Sequence, residues 1–124
     1  MEKIVRAAAD VRPRETEWGS LSWFAGDDAG VPAGLALGRV VIRRGCENPP
    51  HAHPNCAEVL HVVRGRVEHR TGADVDVLGP GDTILVPPGV PHNAKSIGEE
   101  DADLIVAFSS SRREVVPAKP GGAP

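Results

Sequence analysis

The residues with the clearest chemistry are two histidines and a glutamate within eight positions, His51, His53 and Glu58. Alternate side chains of an extended strand point to the same face, so His51 and His53 face the same way. Glu58 is out of phase with them along an unbroken strand, but the turn-type dipeptide Pro54-Asn55 lies between and can return the carboxylate to the same interior. A fourth candidate, His92, follows downstream.

Three imidazole nitrogens and one carboxylate oxygen form a donor set that suits a divalent transition metal better than Ca or Mg. We therefore interpret His51, His53, Glu58 and His92 as the ligands of one such ion. Fe, Mn, Ni, Co and Zn all satisfy this donor set, and the sequence leaves the identity of the metal open.

The elements that must position these ligands are nearly all β-strands. Val-, Ile- and Leu-rich runs separated by Gly- and Pro-rich turns predict strands at 35–42, 58–63, 66–70, 74–78, 83–86 and 104–108. A strand at 20–24 and a short helix at 3–11 are weaker predictions. Many short strands at close spacing indicate an all-β sandwich or barrel, and a jelly roll of two antiparallel sheets is the double-sheet option. At 124 residues the chain is one domain.

Glycines and prolines at fixed spacings around the ligands resemble the two conserved blocks of the cupin superfamily. The nine matching positions are Gly45, His51, His53, Glu58, Gly65, Gly81, Pro87, Gly89 and His92. One departure is Ser96, where the family usually has Asn. The resemblance implies a single-domain cupin jelly-roll β-barrel over 18–116, after an N-terminal arm at 1–17. The Pro- and Gly-rich end at 117–124 has nothing to bury, which predicts a disordered tail.

Charge and composition exclude several partners. The chain has 14 Lys and Arg against 17 Asp and Glu, with no basic stripe, so we expect no nucleic-acid partner. No apolar run reaches membrane-spanning length and the N-terminus has no apolar core, so we expect a cytoplasmic protein without a membrane partner. A single jelly roll leaves a sheet exposed, and we expect a homodimer in which the strand around Trp23 and Phe24 pairs across the interface.

The sequence also suggests positions or roles for five further residues. His61 alternates with Glu58 and should point out of the barrel. His69 is either an acid or base facing the cavity or a hydrogen-bonded wall residue, and Cys56 is either a proton donor beside the metal or a small loop hydrophobe. Cys46 and Cys56 are expected to be free thiols. Asn93 should point away from His92 and be structural.

The cavity itself should be small and mostly apolar. Its predicted wall consists of Val41, Leu60, Val62, Ile84, Val86 and Val106, and Trp18 and Trp23 either close its mouth or pack an N-terminal strand. The absence of tyrosine makes cupins that use a phenol as acid or base poor models. The C-terminal run resembles small cupins that convert unsaturated uronates, but only Arg112 matches there, while Val106 replaces their Asp.

The resemblance implies a metal-dependent enzyme acting on a small substrate that chelates through an oxygen pair. Iron would direct it to dioxygenase chemistry, whereas Zn, Ni, Co or Mn would act as a Lewis acid in an isomerase, lyase or cyclase. Glu58 and His69 are the candidate catalytic residues. The alternative is a non-catalytic metal- and ligand-binding cupin module that acts through a partner protein. A vestigial barrel without metal and a seed-storage-like role are the remaining hypotheses.

Overall fold

The computed structural model describes residues 4–31 and 33–119, and within these ranges it contains eleven β-strands and two 3-10 turns. In chain order the strands are β1 (Arg14–Glu15), β2 (Gly19–Ala25), β3 (Ala36–Ile42), β4 (His51–Ala52), β5 (Glu58–Arg64), β6 (Val67–Thr71), β7 (Asp74–Leu78), β8 (Thr83–Val86), β9 (His92–Ser96), β10 (Ala102–Phe108) and β11 (Val116–Pro117). Among these residues, no helix is long and apolar enough to cross a membrane.

The strands form two antiparallel sheets, which confirms the predicted all-β jelly-roll barrel. One sheet has the order β1-β2-β3-β10-β5-β8, and the other has the order β11-β4-β9-β6-β7. Strands β3, β5 and β10 are the centre of the larger sheet, and their residues alternate between buried and more exposed positions. Their inward side chains form the apolar core, in which Ile42, Val62 and Leu104 are fully buried. This period-two pattern fixes the register that brings Glu58 of β5 opposite Phe108 of β10.

The turn between β5 and β6 depends on Gly65. Its φ is +86°, and a Cβ at this position would lie 2.8 Å from the Cα of Ala102. Both the left-handed backbone and the close approach of β10 therefore require glycine here. This turn leads from β5 of the larger sheet, the strand that carries Glu58, into β6 of the smaller sheet.

Several sequence predictions differ from the structure. The helix predicted at 3–11 is a 3-10 turn at Ala8–Asp10 followed by extended backbone, and residues 1–3 lie outside the described residues. Strand β9 was not predicted, because His92–Ser96 contains no β-branched or aromatic residue and is extended through its pairing with β6. The tail predicted to be disordered from residue 117 begins inside β11, which pairs with β4, while 120–124 lie outside the described residues.

The strand predicted to mediate a dimer is partly covered. Within the described part of the chain, β1 pairs with β2 at Ser20 and Leu21 and not at Trp23 or Phe24. The outer side of β2 at these two aromatic residues therefore has no strand beside it, and the homodimer stays a prediction.

Candidate metal centre

The structure brings the four predicted ligands together between the two sheets. One potential ligand atom from each of His51, His53, Glu58 and His92 lies within 4.8 Å of the other three. His51 of β4 pairs directly with His92 of β9, and Glu58 is the first residue of β5 in the opposite sheet. His53, Glu58 and His92 are buried, and His51 is half-buried. The side chains of His51 and His53, and that of Glu58 after the Pro54-Asn55 turn, therefore reach the same interior, as the sequence predicts.

All three histidines are held by the backbone in the same way. Each Nδ1 lies 2.8 Å from a carbonyl oxygen, that of Pro49 for His51, Glu114 for His53 and Val90 for His92. A carbonyl oxygen only accepts, so each Nδ1 carries the hydrogen and donates it. In the neutral imidazole Nε2 then carries a lone pair, and this is the form that binds a metal.

The Nε2 atoms of His53 and His92 lie 3.1 and 3.0 Å from Oε1 of Glu58. The His92 contact has hydrogen-bond geometry, whereas among the described residues Nε2 of His53 is buried without a hydrogen-bond partner. Lone pairs on nitrogen and a carboxylate oxygen repel one another at this distance unless a cation or a shared proton lies between them. This orphaned, buried nitrogen beside a carboxylate fits a bound divalent metal.

The pKa values follow from the same crowding. Burial alone would raise the pKa of Glu58, but its contacts with His53 and His92 outweigh burial and hold this pKa below its usual range. Burial opposes the charged form of His92, yet the hydrogen bond and charge of Glu58 raise the pKa of His92. Burial, together with the nearby His92, lowers the pKa of His51 to about 4. Glu58 is therefore ionised and His51 neutral at neutral pH, as ligation requires.

A cavity of about 530 Å³ opens onto these ligands. Its apolar wall includes Trp18, Leu21, Trp23, Val40, Ile42, Leu60, Leu104, Val106 and Phe108. The predictions of Leu60 and Val106 as wall residues hold, and Trp18 and Trp23, for which two roles were left open, also line the cavity. Val41, Val62, Ile84 and Val86 do not line the cavity; Val41 is wrong by one residue of phase, because Val40 and Ile42 are the inward side chains of β3.

His69 faces the cavity and is also a hydrogen-bonded wall residue. It is 1% exposed in β6, lines the cavity, and its ring is stacked on that of His92 with centroids 6.0 Å apart. Its Nδ1 lies 2.9 Å from Oγ1 of Thr71. Burial, followed by the charge of His92, lowers the pKa of His69 to about 4, so the imidazole is neutral at neutral pH. Whether it acts in catalysis stays a prediction.

The other residues considered near the ligands lie outside the cluster. His61 is exposed on the outer face of β5, as predicted, and its Nδ1 lies 2.8 Å from Oγ1 of Thr83. Cys56 packs in the apolar core, where burial raises its pKa and so favours the thiol, and both cysteines are free. Asn93 was expected to point away from the site, but it also lines the cavity, and its Nδ2 donates to the carbonyl of Asn48.

The sequence did not identify Arg113 as a cavity residue. Arg113 lines the cavity, and its guanidinium carbon lies 4.2 Å from the ring centre of Trp23 and 5.5 Å from that of Phe108. The neighbouring Arg112, which matched a known pattern, does not line the cavity. The segment between β10 and β11 has no regular period, so the sequence carried no signal to distinguish the two arginines.

Comparisons with known proteins agree with this geometry. Residues 38–108 match the family model described as Cupin domain. The chain is 40% identical over 90 residues to Germin-like protein 3-8 of Oryza sativa subsp. japonica, covering 68% of this chain and 40% of that protein. It is 30% identical over 91 residues to Oxalate oxidase 2 of Hordeum vulgare, covering 67% and 41%. The chain thus spans about two fifths of the length of these curated relatives.

Solved structures show the same barrel. An oxalate oxidase in complex with the substrate analogue glycolate superposes with a TM-score of 0.65 at 27% identity, covering 68% of this chain and 46% of that one. An oxalate decarboxylase formate complex from Lactobacillus farciminis superposes with a TM-score of 0.80 at 20% identity, covering 88% and 34%. At that identity the second likeness concerns the fold alone.

Proposed function

This chain belongs to the cupin domain family, and we propose that it is a metal-dependent enzyme acting on a small, oxygen-chelating substrate. His51, His53, Glu58 and His92 hold one divalent transition metal in the proposed site. The substrate occupies the cavity above these ligands, and Glu58 and His69 are the groups that exchange protons with it.

The observation that carries this proposal is the common orientation of the three imidazoles. Three backbone carbonyls fix the hydrogen on Nδ1 of each ring, which leaves three Nε2 lone pairs and one carboxylate oxygen gathered within 4.8 Å. Without a bound cation, Nε2 of His53 stays buried without a hydrogen-bond partner among the described residues, which is unfavourable in a packed core. A bound ion satisfies all four atoms at once.

A bound divalent transition metal would supply Lewis acidity, and iron or manganese would also supply redox chemistry with dioxygen. The residues of the chain supply the proton chemistry. The lowered pKa values of Glu58 and His69 keep both groups unprotonated at neutral pH, so each offers a hydrogen-bond acceptor to a substrate in the cavity. Proton transfer to either group requires that the bound substrate raise its pKa towards the working pH. The apolar wall around them limits the access of water to the reacting groups.

The relatives favour a small acid as the substrate. One of them is named oxalate oxidase, and oxalate is a two-carbon dicarboxylate. Oxalate is therefore the first compound to assay, followed by other small acids and enols with two adjacent oxygens. Consumption of dioxygen would support the oxidase or dioxygenase branch, whereas turnover without it would support the isomerase, lyase or cyclase branch.

A second candidate function is a non-catalytic module that binds a metal and a ligand and acts through a partner protein. The identity to a germin-like protein, whose name specifies no reaction, is the observation that favours it. Saturable ligand binding without a product, for every metal and with or without dioxygen, would support this second candidate.

The test compares two histidine variants of the metal-loaded protein. His53→Ala removes a buried proposed ligand, and His61→Ala is the matched control because His61 is exposed outside the cluster. We expect turnover to disappear in His53→Ala and to persist in His61→Ala, with both variants folded by circular dichroism. Unchanged turnover in His53→Ala would overturn the proposal.

A further inference from the structure

Arg113 is a largely buried cation that lines the cavity and forms no ion pair with Glu58. Its side chain is 14% exposed and its guanidinium is stacked on Trp23. Stacking of this kind uses the face of the guanidinium plane, whereas its five N–H groups point outward within that plane. The cation–π contact therefore leaves the hydrogen-bonding edge of Arg113 unused.

The partners of this edge are incomplete. Within the described part of the chain, Nε of Arg113 is buried without a hydrogen-bond partner. The nearest carboxylate oxygen, Oδ2 of Asp28, lies 3.6 Å from Nη2, beyond hydrogen-bond distance, and the Asp28 side chain is 60% exposed. Leaving a charged donor buried and unsatisfied is costly, so an anionic ligand in the cavity would stabilise it.

The charges around the cavity favour an anion as well. Its acidic and basic lining side chains are Arg14, Arg113, Asp28 and Glu58, which balance one another. A divalent metal at the proposed site makes this balance positive. A substrate with one or two negative charges therefore complements the loaded cavity.

Arg113 is also connected to the proposed metal site through the chain. Its neighbour Glu114 supplies the carbonyl that accepts the Nδ1 hydrogen of His53. The ring of Phe108 lies next to both His53 and Arg113. Its centre is 4.9 Å from that of the His53 ring and 5.5 Å from the guanidinium carbon of Arg113. The segment that fixes a metal ligand thus also fixes the guanidinium in the same cavity.

We propose that Arg113 is a substrate-binding residue that receives a carboxylate of the substrate while the substrate's chelating oxygens face the metal ligands. This inference rests on the proposed function and narrows its substrate class. The substrate is a small acid with a carboxylate group separate from its chelating oxygen pair. The planar N–H edge of Arg113 matches the two oxygens of such a group.

The test uses pairs of probe acids with the metal-loaded protein. Each pair is a 2-oxo dicarboxylic acid and the 2-oxo monocarboxylic acid of equal chain length, with four, five or six carbons. Both members offer the same chelating oxygens, so they differ only in the remote carboxylate. Isothermal titration calorimetry gives the affinity of each, and metal content and thermal unfolding are measured for every variant.

For one chain length we expect the diacid to bind about 10- to 100-fold more tightly than the monoacid, as for a hydrogen-bonded charge pair. Arg113→Gln should abolish this preference without changing the affinity for the monoacid. Arg113→Lys should keep a part of it, because the charge remains and the planar edge does not. Arg112→Gln is the matched control and should keep all of it, since Arg112 does not line the cavity.

The outcomes separate this inference from the proposed function. Equal affinity for both acids of every pair in the unmodified protein would overturn the role of Arg113 and leave the metal site standing. A preference for the diacid that persists in Arg113→Gln would also overturn the role of Arg113 and leave the metal site standing. Failure of the metal-loaded protein to bind any 2-oxo acid would overturn the chelating site and the inference together.

Discussion

Nδ1 of His53 lies 2.8 Å from the backbone carbonyl oxygen of Glu114, a residue 61 positions later in the chain. The buried histidine of the HxH motif is therefore oriented by the C-terminal segment and not by its own strand. The next residues, Val116–Pro117, pair with His51–Ala52 and hold this segment against the site. The end of the barrel thus completes the proposed metal centre.

The first prediction concerns Asn55, which ties the C-terminal segment to the ligand loop. Its Nδ2 donates to the carbonyl of Arg112, and its Oδ1 accepts from the N–H of Glu114, both within 2.8 Å. Asn55→Ala removes no proposed ligand, but it loosens the segment whose Glu114 carbonyl accepts the Nδ1 hydrogen of His53. We therefore expect about 10-fold weaker metal binding, the lower end of the loss found when a residue that orients a metal ligand is removed. Competition with a chromophoric chelator measures this affinity.

Two controls sharpen this first test. Asn55→Asp keeps the acceptor for the Glu114 N–H and loses the donor to Arg112, so its metal affinity should fall between those of Asn55→Ala and the unmodified protein. Glu114→Ala keeps the backbone carbonyl and should bind metal normally. An Asn55→Ala protein with unchanged affinity would show that the C-terminal segment does not position His53.

The second prediction concerns the pair Glu58 and His92 in the metal-free protein. Because the carboxylate raises the pKa of His92, Glu58→Gln should lower this pKa. Titration of the imidazole signals by NMR in the presence of a chelator measures this pKa. Glu68→Gln, which removes a carboxylate outside the cluster, should leave it unchanged. An unchanged pKa of His92 in Glu58→Gln would contradict the charge coupling between these two residues.

The third prediction concerns the pH dependence of stability through His69. Its pKa is lowered from 6.5 to about 4 in the folded chain, so between these values the unfolded chain binds more protons. The contribution of His69 to the free energy of unfolding therefore falls as the pH falls from 6.5 towards 4. His69→Gln should reduce this slope by about 1 kcal/mol per pH unit, the value for one proton. Urea unfolding of the metal-free protein across this pH range measures the slope, and an unchanged slope would refute the prediction.

The fourth prediction concerns Gly38, on which Trp23 packs. A Cβ at Gly38 would lie 2.6 Å from Cε3 of Trp23 and 2.8 Å from the carbonyl oxygen of Ser22. Gly38→Ala should therefore displace the indole and destabilise the fold by about 1–3 kcal/mol. Gly79→Ala is the control, because a Cβ at Gly79 would lie 4.0 Å from the nearest heavy atom and the φ of Gly79 is not positive. Urea unfolding and tryptophan fluorescence report both effects, and equal stability of the two variants would contradict this packing.

The sequence predicts the convergence of the four proposed ligand side chains because their positions follow from local rules. Alternation along β4 and the Pro54-Asn55 turn are properties of neighbouring residues, and the four predicted ligand side chains do converge. Strands rich in β-branched residues, such as β5 and β10, were also predicted to within a few residues. These elements bury one face, which leaves a clear period of two in the sequence.

The parts that the sequence did not reveal depend on contacts between distant residues. Strand β9 has the sequence of a loop and is extended by pairing with β6. The inward face of β3 was assigned one residue out of phase at Val41, because Val40, Val41 and Ile42 are all apolar and only packing decides among them. Arg113 enters the cavity from an irregular segment, where direction is set by Trp23 and Phe108.

The central claim is that four side chains of this barrel hold one metal ion, and elemental analysis by plasma mass spectrometry tests it most directly. The protein must carry no polyhistidine tag, and His53→Ala and His61→Ala are analysed beside it. We expect close to one divalent transition metal ion per chain in the unmodified protein and in His61→Ala, and almost none in His53→Ala. No metal in the unmodified protein after reconstitution, or equal metal in His53→Ala, would contradict the account.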